Sequence, residues 1–187
     1  MLLFVGLGNP NPNNTNNRHN VGFLIIDAIN EKFKLSKQKP KFKGLLTTGK
    51  ICEEKIYAIK PLTFMNSSGI CIKELIEYFK IDVNNVFVFH DDMDINIGKI
   101  KAKLGGSSAG HNGIESIDKN IGKNYSRIRI GIGRPKNNST GVDHVLDNFS
   151  NEEKQSVKAV TNNIVEALST LIKKDLDLFS SKVNQKI

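Results

Sequence analysis

The sequence predicts an α/β protein in which helices flank a mixed β-sheet, within a single domain of residues 1–187. Three observations predict this class. Runs of β-prone residues alternate along the chain with stretches whose apolar residues recur at helical spacing. Residues 86–89 are apolar throughout, as in a central strand that is covered on both faces. Residues 42–52 and 55–60 are strand candidates with only a short acidic link between them, which indicates a hairpin.

The N-terminal half contains three strand candidates and two helix candidates. The strand candidates are apolar and β-prone and end at turn residues: they are residues 2–5, 42–52 and 55–60, the last two joined at Glu53-Glu54. The helix candidates have apolar side chains three and four positions apart: they are residues 21–33, with Asn20 as the N-cap, and residues 70–80. A polar linker over residues 36–41 separates the first helix from the hairpin.

The C-terminal half continues the alternation of strands and helices. Its strand candidates are residues 86–89, 97–104 and 126–132. Its helix candidates are residues 114–121, a short helix or turn over 142–149, and a long amphipathic helix over about 152–178. A glycine-rich loop occupies residues 105–113, and we expect a loose basic tail over about 180–187.

The composition is that of a soluble globular protein, with 39% hydrophobic and 25% charged residues. No apolar run approaches the ~20 residues that a membrane span needs. The N-terminus has no basic segment followed by an extended apolar core, so no signal peptide is expected. Cys52 and Cys71 lie in apolar neighbourhoods without metal or redox spacing, and we expect both to be reduced core residues. These features predict a cytoplasmic protein with no membrane partner.

The formal net charge is +8. A basic excess attracts polyanions and speeds their encounter with the protein. A generic lysine-rich surface would give the same sum, so the positions of the charges matter more than the total.

Two strand candidates have cationic faces. Alternation places Lys99, Lys101 and Lys103 on one face of the first, and Arg127 and Arg129 on one face of the second. These faces are either solvated surfaces or a track for phosphate groups. A phosphate track would position a nucleic acid without reading its sequence.

Polar side chains follow several of the predicted strands. His19 lies in the loop after the first strand, and Asp91 follows residues 86–89. Loops at the carboxyl ends of strands gather at one edge of an α/β sheet, so these side chains can meet. A histidine base needs a carboxylate on its other ring nitrogen, and Asp91 or Asp94 could supply it.

Three amide side chains from the same loops could hold a carbonyl and a developing oxyanion without adding charge: Asn9, Asn66 and Asn112. The pattern indicates activation of water, because no serine has the context of a nucleophile elbow.

These segments also allow other interpretations. His19 can be a surface histidine at the start of a helix. Gly6-x-Gly8 after a strand is typical of dinucleotide binding, but the third glycine of that motif is absent. The glycine-rich loop lacks the Gly-Lys-Ser/Thr of a P-loop and can be a plain mobile loop.

A divalent metal is a further alternative, and its ligands would be His19, His90, Asp91, Asp94 and His111 in a nuclease or phosphoesterase. A non-catalytic RNA-binding module is another alternative. We interpret the remaining histidine, His144, as structural.

Seven short segments occur in a defined order: Gly6-Leu7-Gly8-Asn9-Pro10, Arg18-His19-Asn20-Val21-Gly22, Lys60-Pro61-Leu62-Thr63-Phe64-Met65-Asn66-Ser67-Ser68-Gly69, His90-Asp91-Asp92-Met93-Asp94, Lys103-Leu104-Gly105-Gly106, Gly110-His111-Asn112-Gly113 and Arg127-Ile128-Arg129-Ile130-Gly131-Ile132-Gly133. Together they resemble the bacterial peptidyl-tRNA hydrolase family through most of the chain. The resemblance implies a three-layer sandwich and hydrolysis of the ester between a peptide and the terminal ribose of tRNA. It also implies a monomer that uses no metal and no cofactor, with peptidyl-tRNA as its partner.

By position, the resemblance makes His19 the base that activates water and Asp91 the group that holds its basic form. Asn9 would distinguish peptidyl-tRNA from aminoacyl-tRNA. The other implied contacts to peptide or tRNA are Asn14, Phe64, Met65, Asn66, Gly110, His111, Asn112, Lys101, Lys103 and Arg129. Several positions depart from the family pattern: Asn14 stands where the family usually has Tyr, Asn17 where it usually has Thr, and Glu115 and Ser107-Ser108-Ala109 where basic and glycine-rich choices are commoner. The change at position 14 removes an aromatic contact near the substrate.

Overall fold

The computed structural model describes residues 1–11, 16–135 and 140–185. Within these residues, strands form one sheet in the order β2-β3-β4-β1-β5-β7-β6. The strands are β1 Leu2–Gly6, β2 Lys39–Lys41, β3 Gly44–Ile51, β4 Glu54–Pro61, β5 Val86–Asp92, β6 Ile100–Leu104 and β7 Ser126–Gly131. The four central strands β4, β1, β5 and β7 are parallel, whereas β3 and β6 run antiparallel to their neighbours. The sheet is therefore mixed, as predicted.

Helices cover both faces of the sheet. They are α1 Val21–Lys32, α2 Ser68–Phe79, α3 Asn112–Ile121, α4 Gly141–Leu146, α5 Asn151–Ile172 and α6 Leu176–Gln185. Apolar side chains of α1, α5 and α6 pack against one face, which includes Phe4 and Phe89. Those of α2 and α3 pack against the other face, which includes Leu3 and Val88. Successive strand residues point to opposite faces, so the central strands are apolar on both. The predicted α/β class is confirmed.

Two glycines allow α1 to approach the sheet closely. A Cβ on Gly6 would lie 2.3 Å from the main-chain oxygen of Gly22, and a Cβ on Gly22 would lie 2.4 Å from that of Phe89. A side chain at either position would push α1 away from β1 and β5. This approach matters because the 3₁₀ turn Arg18–Asn20, directly before α1, carries His19.

The C-terminal region does not form the single helix over about 152–178 that its periodicity predicts. α5 ends at Ile172, and Lys174 has the left-handed φ of 63°. The carboxylate of Asp175 then accepts a hydrogen bond from the N–H of Leu178, which is a typical start for a new helix. A periodic pattern can continue across such a break, because apolar spacing alone does not report a change of helix direction.

The loose tail expected from residue 180 is also wrong over residues 180–185, which belong to α6. α6 is anchored by the fully buried side chains of Phe179 and Val183. Its Asn184 accepts a hydrogen bond from the N–H of Ile100 at 2.9 Å and donates one to the carbonyl of Ile100 at 3.0 Å. α6 therefore satisfies main-chain groups of the edge strand β6 that would otherwise be unpaired.

The predicted hairpin is present as β3 and β4, which pair antiparallel. Its turn is Cys52-Glu53, with φ values of 49° and 62°, rather than Glu53-Glu54. The short strand β2 occupies the end of the segment predicted as a polar linker.

Two expectations drawn from composition can be compared with the structure. Both cysteines are free, but only Cys71 is buried, and Cys52 is exposed in the hairpin turn. The expectation of a core position is therefore wrong for Cys52. Among residues 1–11, 16–135 and 140–185, no helix has both the length and the apolar content required to cross a bilayer.

Candidate active site

The candidate site lies at the edge of the sheet where β1 ends before its neighbour. The last residue of β1, Gly6, pairs with Phe89, whereas β5 continues to Asp92. The turn Arg18–Asn20, which comes before α1, is the next helical element after β1 among the described residues. The carboxyl edge of the central strands is where open α/β sheets place their binding groups.

His19 and Asp91 meet at this edge of the sheet. The Nδ1 atom of His19 lies 2.8 Å from Oδ1 of Asp91. The side chain of Asp91 is 3% exposed and that of His19 is 12% exposed, so only the imidazole keeps an opening to solvent. Because a carboxylate can only accept, Nδ1 carries the hydrogen and Nε2 of the neutral ring keeps its lone pair. His19 is therefore arranged as a base.

His111 binds the same carboxylate oxygen from the opposite helical layer. Its Nε2 lies 3.0 Å from Oδ1 of Asp91. Its Nδ1 accepts hydrogen bonds from the N–H groups of Gly113 and Ile114 at the start of α3. Since Nδ1 accepts, the hydrogen of neutral His111 is on Nε2 and is donated to Asp91. Asp91 is thus held between two imidazoles, one from each layer.

These contacts shift the pKa values of the pair. Burial alone would raise the pKa of Asp91, but the charges and hydrogen bonds of His19 and His111 hold it well below its ordinary value. Burial lowers the pKa of His19, but the negative charge and hydrogen bond of Asp91 outweigh burial, so the pKa is raised. Asp91 therefore stays a carboxylate, and His19 gives up its proton at a higher pH than an exposed histidine.

The same three side chains have the spacing of a metal site, because donor atoms of His19, Asp91 and His111 lie within 4.8 Å of one another. The hydrogen bonds of these three side chains, however, do not favour metal coordination. A metal on Nε2 of His111 would force the hydrogen onto Nδ1 and remove both contacts that cap α3. The sequence also offered His90 and Asp94 as metal ligands, but neither belongs to this cluster. Nδ1 of His90 faces the main-chain oxygen of Asp91, and Asp94 pairs with Arg134.

The three predicted amides lie on different elements. Asn112 is the first residue of α3, and Asn66 lies in the turn Met65–Ser67, which packs against α3. Both side chains are exposed. Asn9 follows β1, and its N–H donates to the side-chain oxygen of Asn20. Asn20 therefore connects the loop after β1 to α1 instead of capping that helix with its side chain.

Apolar contacts shape the same region. Phe64 is 81% exposed, which is unusual for a large apolar side chain. Met65 packs against the start of α3, since a Cβ on Gly113 would lie 2.5 Å from its sulfur atom. Gly110 has φ of 78° in the turn just before His111. Asn14 lies outside the described residues.

The cationic faces of β6 and β7 are adjacent but not equivalent. Lys101 pairs with Arg129 and Lys103 pairs with Arg127. Arg127 is 1% exposed and binds the carboxylate of Asp118, so it is a structural residue and not part of a phosphate track. Burial of this guanidinium could not be predicted from alternation, because alternation does not show which face α3 covers.

Lys101, Lys103 and Arg129 line an open cleft of about 630 Å³, together with Lys99 and the acidic residues Asp94 and Asp177. Arg129 is held by Asp92 at 2.7 Å. Partial burial and the neighbouring charge of Arg129 lower the pKa of Lys103. Lys99 instead donates to the main-chain oxygen of Asn184.

The sequence does not predict two contacts that His111 makes in the structure. His111 is predicted as a substrate contact, and the structure adds a cap for α3 and a donor to Asp91. The cap could be inferred from the position of His111 directly before Asn112-Gly113, since N-cap side chains accept from the first helical N–H groups.

The interpretation of His144 as structural agrees with its burial and with the 2.9 Å contact of its Nε2 with the Gly133 carbonyl.

Comparisons with known proteins cover the whole chain. Residues 3–187 match the family profile described as Peptidyl-tRNA hydrolase. The peptidyl-tRNA hydrolase of Pelagibacter ubique (strain HTCC1062) is 67% identical over 186 residues, 100% of each chain. That of Bacillus subtilis (strain 168) is 39% identical over 188 residues, again 100% of each chain. The crystal structure of peptidyl-tRNA hydrolase from Acinetobacter baumannii is similar with a TM-score of 0.92 at 31% identity, covering 98% of this chain and 94% of that one.

Proposed function

The chain belongs to the peptidyl-tRNA hydrolase family and hydrolyses the ester bond of peptidyl-tRNA; we propose that His19 is the general base of this reaction and that Asp91 orients it. The observation that carries the proposal is the 2.8 Å contact between Nδ1 of His19 and Oδ1 of Asp91. It leaves Nε2 as the free basic atom of a partly exposed ring.

In the proposed mechanism, Nε2 of His19 removes a proton from a water molecule as the oxygen attacks the ester carbonyl of the peptide. Asp91 stabilises the imidazolium that forms, because its carboxylate already accepts the hydrogen on Nδ1. When the tetrahedral intermediate collapses, the bond to the 3′-terminal ribose oxygen breaks. The imidazolium returns the proton to that oxygen, which releases free tRNA and the peptide acid.

The exposed amides provide neutral contacts for the substrate. We propose that the amide of Asn66 or Asn112 donates to the developing oxyanion, because Asn112 directly follows His111, Asn66 lies in the turn that packs against α3, and neither brings a net charge. Asn9 follows β1 at the same edge, where its amide could recognise the N-blocked residue that separates peptidyl-tRNA from aminoacyl-tRNA. Phe64, Met65, Gly110 and His111 would complete the walls around the peptide and the tRNA end.

We propose that the enzyme acts as a monomer on a substrate that is made in the cytoplasm. We propose that hydrolysis needs neither a metal ion nor a cofactor; a metal on Nε2 of His111 would displace the hydrogen that this atom donates to Asp91. The alternative enzyme, a metal-dependent nuclease or phosphoesterase, would need the opposite arrangement.

The decisive experiment incubates the protein with N-acetyl-aminoacyl-tRNA and with unblocked aminoacyl-tRNA in the presence of EDTA. We expect rapid release of free tRNA from the first substrate and little from the second. Loss of activity in EDTA, with recovery on addition of a divalent metal, would instead favour the metal-dependent enzyme. Binding without turnover of either substrate would favour an RNA-binding module.

Lys101, Lys103 and Arg129 are proposed to contact tRNA phosphates. The double variant Lys101→Ala/Lys103→Ala should weaken tRNA binding and reduce the slope of log affinity against log salt by about 0.7–0.9 per lost contact. Arg129 is better left in place, because its removal would leave the partner carboxylate of Asp92 without its cation.

The matched control is Lys50→Ala/Lys55→Ala, in the hairpin at the opposite edge of the sheet. Both lysines are exposed, and the variant loses the same net charge. An equal change of slope in the two double variants would show that only net charge matters and would remove the phosphate track.

A further inference from the structure

The early end of β1 leaves the main chain of Asp91 without a strand neighbour on one side. In β5, the carbonyl of Phe89 faces β1 and accepts from the N–H of Leu7 at 3.0 Å. The carbonyl of Asp92 faces β7 and accepts from the N–H of Ile132 at 3.0 Å. Main-chain groups two residues apart in a strand point to the same side. The carbonyl of Asp91 therefore faces the side of β1, beyond the point where β1 has ended.

The side chain of the preceding residue supplies the missing donor. Nδ1 of His90 lies 2.8 Å from the main-chain oxygen of Asp91. A carbonyl can only accept, so Nδ1 of His90 carries the hydrogen. The imidazole is 4% exposed, and water can hardly replace it as a donor. His90 thus takes the place of the strand neighbour at this one position.

The same ring also supports the second imidazole that binds Asp91. The rings of His90 and His111 meet edge to face, with centroids 5.0 Å apart and an interplanar angle of 80°. Burial, followed by the neighbouring charge of His111, lowers the pKa of His90 to about 3. The ring is therefore neutral throughout the working pH range, and its donor to Asp91 does not change with pH.

We propose that His90 is a positioning residue, which holds the main chain of Asp91 and the ring of His111 so that the carboxylate meets His19. This proposal rests on the proposed roles of His19 and Asp91. An apolar residue of similar size would fill the space but could not donate to the main-chain oxygen of Asp91. The residue therefore acts on the reaction only through the geometry of the carboxylate.

The test compares His90→Leu, which removes the donor, with His90→Asn, whose amide can place a donor near the position of Nδ1. In His90→Leu we expect kcat to fall by about 10- to 100-fold, because a displacement of ~1 Å in a catalytic group has an effect of this size. KM should change little. The pKa of His19, followed by NMR of its imidazole, should fall, since a displaced Asp91 raises it less. His90→Asn should recover most of both losses.

Two controls separate positioning from packing. Val88→Ala removes a buried side chain from the same face of β5 and should lower the melting temperature without moving the pKa of His19. His90→Gln carries the same amide one methylene further out and should rescue less well than His90→Asn. The Asn and Gln variants alone decide the question if the Leu variant does not fold.

Three outcomes are decisive. If His90→Leu keeps the kcat and the His19 pKa of the parent and differs only in stability, His90 is merely a packing residue. Equal values of kcat and of the His19 pKa in His90→Asn and His90→Gln would also overturn the proposal. If the pKa of His19 falls while kcat is unchanged, the positioning role stands and the general-base role of His19 is wrong.

Discussion

Replacing His19 with alanine should lower kcat by about 10²–10⁴-fold, the usual contribution of a general base. The variant keeps every group proposed to hold the substrate, so the affinity for peptidyl-tRNA should change little. His19 is partly exposed and contributes no large apolar surface to the core, so the fold should survive the change. Single-turnover rates and filter-binding affinities with the same N-acetyl-aminoacyl-tRNA would measure the two effects separately.

The comparison of rate with affinity decides the role of this residue. Affinity that falls as far as the rate would mean that His19 binds the substrate and is not the base. A loss of less than tenfold would mean that water is activated elsewhere. Circular dichroism melting of the variant provides the control for folding.

The second large effect is expected for Asp91→Asn, which keeps the shape of the side chain and removes its charge. The rate should fall by about 10²–10⁴-fold, as in catalytic triads when an amide replaces the carboxylate and the histidine loses its correct tautomer. Both His19 and His111 donate to Oδ1 of Asp91, so a single substitution weakens two contacts. The amide can also donate, which favours the inactive tautomer of His19.

The pH profile gives an independent measure of the same change. In the parent enzyme, activity should fall as the pH drops through the raised pKa of His19, because the protonated ring cannot act as a base. Without the charge of Asp91, burial remains and lowers that pKa, so the acid limb of kcat/KM should move to lower pH. The acid limb moves in this direction because Asp91 raises the pKa of His19 and burial lowers it.

Asp92→Asn is the matched control, because Asp92 is the next residue of β5 and binds Arg129. It should alter the KM for peptidyl-tRNA and leave the acid limb in place. An acid limb that stays in place in Asp91→Asn, or moves equally in both variants, would contradict the assignment of Asp91.

The sequence was sufficient for the strands and helices whose patterns are strong and local. The apolar run at β5, the hairpin of β3 and β4 and the helical spacing of α1 and α2 all appear in the structure. The break before α6 was not predicted, because it depends on the left-handed residue Lys174 and on one cap, Asp175. The docking of α6 on β6 depends on contacts between segments about 80 positions apart, which no local pattern reports.

In the candidate site, too, some features were predictable from the sequence and others were not. Residue chemistry and the position of loops after strands were enough to propose His19, Asp91 and the three amides. The burial of Arg127 and the double hold on Asp91 were not predictable from the sequence, since both depend on which side chains α3 brings to the sheet.

The sequence by itself determined the family, the class of fold and the side chains able to do the chemistry, because these are recorded in local patterns and in the types of residues. Only the tertiary structure decided that β1 ends early and that His90 and His111 surround the carboxylate. The physical reason is that a hydrogen bond and a shifted pKa depend on distances of a few ångströms between segments that are far apart in the chain. Those distances are set by the packing of both helical layers on the sheet.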